Sequence, residues 1–228
     1  MRTVADSVYE EPVFARPAAF SDSDENGIGG EPALSARPEA EAADRRYRLW
    51  VLRQWKQGGQ SLGPIVGIGL ASGFIAVVCA LLKDCVGIGS LAVVIGAPVA
   101  EEVSKVICPL MVLEKRPWIF PSRGLIVALC ALSGLVFASV ENVLYFTCYI
   151  PQEALTEGVV AWRLSVCTLM HVAATTVAGW GLAREWRRAA ACAGRFGVSH
   201  TLPWLFAAML LHGAYNLCAL LYETVVAH

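Results

Sequence analysis

The sequence predicts an all-α fold, a polytopic bundle of about five transmembrane helices behind a disordered N-terminal tail. Three observations predict it. The 228 residues are 56% hydrophobic with a mean hydropathy of +0.55, too apolar for an ordinary soluble domain. The apolar residues fall in long blocks, each near the length of about 20 residues that carries a helix across a bilayer. The charged residues collect mostly between those blocks. With a formal net charge of −1, the overall charge carries no signal for nucleic acid, and no such partner is expected.

Residues 1–44 hold Pro, Glu, Asp, Ser and Ala without apolar periodicity, as in Ser21-Asp22-Ser23-Asp24-Glu25, and are expected to be a disordered acidic tail. Because the first sixty residues are polar, no secretory signal peptide is expected before the first span. Residues 45–61 follow as a basic and aromatic juxtamembrane segment, with Arg45, Arg46, Arg48, Trp50, Arg53, Trp55 and Lys56. That pattern suits a short amphipathic segment lying on an anionic membrane face.

Residues 62–225 are expected to form the transmembrane domain, with spans at Leu62–Leu82, Val86–Leu113, Gly124–Ile150, Val159–Ala183 and Leu202–Val225. The second and third exceed the needed length and call for tilt or a broken turn. Pro98 is a candidate kink, because proline removes a backbone donor. Gly69-x-x-x-Gly73 and Gly134-x-x-x-Ala138 set small residues one turn apart, where helices can approach closely. Lys115, Arg116 and Arg123 follow the second span, and Arg184, Arg187, Arg188 and Arg195 follow the fourth, whereas Glu153 and Glu157 lie in an opposite connection. By the positive-inside rule the N-terminus is cytoplasmic and the C-terminus lies on the far side. The eight cysteines show no metal-binding spacing and read as small apolar fillers, although Cys85 and Cys148 could meet on one face.

Ionisable groups inside apolar spans are costly and mark functional sites. Glu101 and Glu102 interrupt the second span, with Lys105 one turn on. Two adjacent acids in a dry site cannot both ionise cheaply, which favours a group poised as a general base. Glu101 is expected to pair with Lys105 at i and i+4, leaving Glu102 to hold a water. Glu141 in the third span has no basic neighbour on its own helix and needs a histidine or a metal from another. His171 and His212 lie near the middles of the fourth and fifth spans, with Thr175 and Asn216 respectively one turn later. Arg163 is expected to snorkel to the interface. Such a set fits water activation for peptide hydrolysis, zinc binding, or a proton or ion relay in a transporter.

The runs Glu101-Glu102-x-x-Lys105 and Gly134-x-x-Phe137-Ala138-x-x-Glu141-Asn142, the lone His171, and His212-x-x-x-Asn216 occur in this order, each on its own predicted span. Together they resemble the PrsW family of intramembrane proteases, related to the CAAX-prenyl endopeptidases, over about residues 60–225. The resemblance implies a glutamate- and histidine-dependent endopeptidase, often classed as a metalloprotease, cutting membrane-anchored protein substrates within the lipid bilayer. It implies Glu101 and Glu102 as the water-activating carboxylates, tuned by Lys105. Glu141, His171 and His212 would complete the catalytic shell or hold a metal such as zinc, with Asn142 and Asn216 in support. With five spans the chain resembles a compact form of the family, expected to lack a substrate-handling region of longer members. A small ion- or proton-coupled transporter using the same groups is the alternative, against which stands the lack of an internal repeat.

Overall fold

The computed structural model describes residues 37–57, 62–84, 92–192 and 195–226, and every regular element among them is helical. The chain divides into two compact units, Met1–Gly58 and Gly59–His228. The first contributes α1, Arg37–Gln57. Residues 37–44 therefore open a helix where a disordered tail was expected. Alanines 40, 42 and 43 are strong helix formers, and Pro38 has the backbone angle of a first turn. The expectations for residues 1–36 and 58–61 lie outside the described residues.

The second unit holds α2, Leu62–Asp84; α3, Ala97–Lys115; α4, Arg123–Leu144; α5, Glu157–Trp162; α6, Thr168–Cys192; and α7, Leu202–Val226. Ser122 starts α4 and Thr156 starts α5, each accepting a hydrogen bond from the backbone N–H three residues on. Three π-helical turns extend these elements: Ala92–Gly96 leads into α3, Tyr145–Tyr149 prolongs α4, and Arg163–Cys167 joins α5 to α6. The sequence contained no visible sign of these wider turns.

Four described helices are long and apolar enough to cross a membrane, at Leu62–Leu81, Arg123–Tyr149, Glu157–Cys192 and Leu202–Tyr222. They overlap the first, third, fourth and fifth predicted spans. The second predicted span does not join them. Residues 85–91 lie outside the described residues, and α3 carries Glu101, Glu102 and Lys105 in its apolar run. Those charges put α3 inside the unit, where it packs against α2, α4, α6 and α7.

Helix approach follows the small residues. A Cβ at Gly134 would come within 2.9 Å of the His171 carbonyl oxygen and of Thr175 Oγ1, so only glycine lets α4 lie this close to α6. Gly73 meets Val136 and Ser133 of α4 in the same way. Gly213, next to His212, faces the Val94 carbonyl, which a Cβ would approach to 2.7 Å. Pro98 sits in the first turn of α3 after the π turn, while the proline interior to that helix is Pro109. Proline 109 has no N–H to offer the carbonyl of Lys105, four residues earlier. Ser72 of α2 and Ser133 of α4 supply the missing donors, at 2.7 Å and 2.6 Å from that oxygen. Three helices are thereby fastened at the backbone of Lys105.

The described cysteines are free thiols. Cys85, and with it any pairing to Cys148, lies outside the described residues.

Candidate active site

Glu101, Glu102 and Lys105 project from α3, Glu141 and Asn142 from α4, His171 and Thr175 from α6, and His212 from α7. Glu102, Lys105, His171 and His212 are buried, at 0%, 0%, 3% and 2% exposure, so their charges must be met by one another. They are. Lys105 Nζ lies 2.7 Å from Glu102 Oε1 and 3.0 Å from His171 Nδ1, with the Phe137 ring 4.0 Å below it. Glu102 Oε1 also takes His212 Nδ1 at 2.9 Å, and its Oε2 accepts from Thr175 Oγ1 at 3.2 Å. The two imidazoles meet edge to face with centroids 4.8 Å apart.

The pairing expected within the glutamate pair is reversed. Lys105 binds Glu102 tightly and lies 3.8 Å from Glu101 Oε2. Spacing along one helix allows either partner. Bonds from His212 and Thr175 already hold Glu102 at the lysine's side, and His171 draws the ammonium the same way, so cross-helix contacts decide the matter.

Glu141 finds the histidine it required: its Oε2 lies 3.0 Å from His171 Nε2. The same oxygen accepts from the Arg163 guanidinium at 3.1 Å. Arg163 therefore does not snorkel to the interface. It turns inward, stacks 3.3 Å over the Tyr145 ring and donates its Nε to Asn142 Oδ1 at 3.1 Å. The Asn142 amide donates in turn to the Arg163 carbonyl and to Thr168 Oγ1. A partly buried acid and a stackable aromatic ring offered the guanidinium more than the interface did.

These contacts fix the ring protons. An ammonium only donates, so Nδ1 of His171 accepts from Lys105 and Nε2–H points to Glu141. A carboxylate only accepts, so His212 gives Nδ1–H to Glu102, and its Nε2 lies 3.8 Å from Glu101 Oε2.

Among the described residues, the group that could hold a metal ion is Glu101, His171 and His212, whose donor atoms lie within 4.8 Å of one another. This group differs by one member from the expected trio of Glu141, His171 and His212. Glu141 is drawn to Arg163 and to the outer nitrogen of His171, and Glu101 takes its place. One carboxylate and two imidazoles are a donor set that suits zinc with a position left open. Carboxylates behind both imidazoles are the usual support of histidine ligands. Asn216 is half-buried one turn after His212 on α7. Reading the sequence placed Arg163 at the interface and missed the serines under Lys105, while Phe137 and Thr175 stood in runs already singled out.

The family model described as PrsW family intramembrane metalloprotease matches residues 59–228. Neither the curated proteins nor the solved structures contain a match to the chain.

Proposed function

Since the chain belongs to the PrsW family of intramembrane metalloproteases, and is thereby an integral membrane peptidase, we propose that it cuts membrane-anchored proteins at the buried Glu/His centre formed by α3, α4, α6 and α7. One observation carries this reading: the donor atoms of Glu101, His171 and His212 lie within 4.8 Å of one another in the interior, and Glu102 and Glu141 hold the other nitrogens of the two imidazoles.

Glu101, His171 and His212 would hold a divalent cation, zinc by the chemistry of the donors, which supplies a Lewis acid beside the scissile carbonyl. The residues of the chain do the rest. Glu101 lies 3.8 Å from Lys105 Nζ against 2.7 Å for Glu102, and a carboxylate has two oxygens. It can face the cation and still take the proton that a water loses on attacking the peptide carbon. That proton passes to the departing amine nitrogen as the C–N bond breaks. Glu102 and Glu141 keep the lone pairs of His212 and His171 turned inward. To hold the cation, His171 would exchange its Nδ1 contact with Lys105, and the ammonium would stay on Glu102, offsetting the acids and facing negative charge on the carbonyl oxygen. Asn216 supplies a further amide on the His212 side.

Cleavage of membrane-tethered reporter peptides in proteoliposomes tests the proposal. Wild type should cut, Glu101→Gln should lose at least about 100-fold in rate, and chelator should silence the enzyme until zinc is returned. Cutting by Glu101→Gln at the wild-type rate would overturn the assignment, and chelator resistance would remove the metal.

A further inference from the structure

We infer that Arg163 is a positioning residue: acting through Glu141, it fixes which nitrogen of His171 faces the interior of the site. Four observations converge. Oε2 of Glu141 is shared, 3.1 Å from the guanidinium and 3.0 Å from His171 Nε2, so the arginine holds the very oxygen that receives the imidazole N–H. The guanidinium is itself fixed, by Asn142 Oδ1 at its Nε and by the Tyr145 ring beneath it. Its backbone is held as well, because Asn142 Nδ2 and Thr168 Oγ1 both donate to the Arg163 carbonyl, at 3.3 Å and 3.2 Å. Finally, Arg163 opens the π turn Arg163–Cys167 that leads into α6. The extra residue of such a turn re-aims side chains by a large angle, and these turns gather at functional sites.

The adjacent pair Glu141-Asn142 thus performs one task in two halves. Asn142 seats the arginine, the arginine steadies Glu141, and Glu141 orients His171. A planar fork with donors on several edges can serve Asn142 and Glu141 together, which a lysine ammonium on a flexible stem does less well. Neither Asn142 nor Arg163 reaches the donor group of Glu101, His171 and His212. Arg163 therefore acts on the chemistry only through its neighbour.

The consequence for turnover rests on the proposed peptidase reading; the consequence for His171 does not. In the proteoliposome assay Arg163→Met should lower kcat by roughly 10- to 100-fold, the usual effect of removing a partner behind a histidine ligand, with KM unchanged. Arg163→Lys should recover part of the loss. In a Glu141→Gln background Arg163→Met should add nothing, because its route to His171 is already cut. Independent losses that multiply in the double variant, or a rise in KM at constant kcat, would make Arg163 a structural or substrate-contacting residue and overturn the inference. Nitrogen NMR of the full-length protein with 15N-labelled histidine gives a readout free of catalysis. Only four histidines contribute, so His171→Gln identifies the signal. Wild type should show His171 with its proton on Nε2, and Arg163→Met should shift and broaden the signal as the ring loosens on Glu141, Lys105 alone then holding Nδ1 as the acceptor. An unchanged His171 signal in Arg163→Met would overturn the inference even if the enzyme were slowed. The expected shift in a protein that cuts nothing would sustain it while the peptidase reading fell.

Discussion

Replacing Glu102 removes the counter-ion of a buried ammonium. Lys105 and Glu102 are both fully buried, and Glu102 also receives His212 and Thr175. Leaving one member of a buried ion pair without its partner costs about 3–5 kcal/mol. Glu102→Gln should therefore lose cleavage and also unfold at markedly lower temperature in detergent. Glu101→Gln, farther from Lys105 at 3.8 Å, should lose cleavage with a smaller change in stability. Thermal unfolding of both variants beside the cleavage assay checks this, and equal stabilities would show that Glu102 is not the structural member of the pair. Each of these residues was legible in the sequence, because an acid or imidazole in an apolar span is conspicuous. Their division of labour was not. Helical spacing puts Lys105 within reach of both acids, and the choice is made by His212, 110 residues from Glu102.

At the scale of the element, Pro109 leaves the Lys105 carbonyl to donors from two neighbouring helices. An unpaired buried carbonyl costs about 1–3 kcal/mol, but an oxygen with two lone pairs keeps one partner when the other is removed. Ser72→Ala and Ser133→Ala should each be mild, about 1 kcal/mol, and the double variant should lose clearly more than their sum. A double-mutant cycle of unfolding free energies measures it; simple additivity would mean that the two hydroxyls act separately. Four of the spans were readable from length and apolarity alone, and the glycine pairs rightly marked close approach. The π turns were not readable. Their residues, such as Ala92-Val93-Val94-Ile95-Gly96, are as apolar as any regular turn, and one extra residue per turn leaves no mark on hydropathy. Arg163 was misplaced for a related reason, since composition does not say which way a side chain at the end of a span will turn.

Across the whole second unit, the basic connections after α3 and α6 lie at one end. Trp186 near the end of α6 donates to the Pro117 carbonyl at 2.7 Å, and Glu185 binds Arg188 and the Gly197 N–H. By the positive-inside rule this end would face the cytoplasm. Cys192 is exposed at the end of α6, and Cys148 is exposed beyond the opposite end of α4. In single-cysteine variants, a membrane-impermeant maleimide should label Cys192 in inverted vesicles and Cys148 in right-side-out cells. The reverse pattern would turn the protein over.

A ribosome delivers these helices one after another, and the centre cannot close before the last of them is in place. Until α7 brings His212 to Glu102, the growing chain holds only part of its donor group. If cleavage depends on this group, as proposed above, an enzyme assembled in this order would be idle throughout its own birth. The nascent chain and its neighbours at the insertion machinery are spared from a cutter that has yet to receive its final blade.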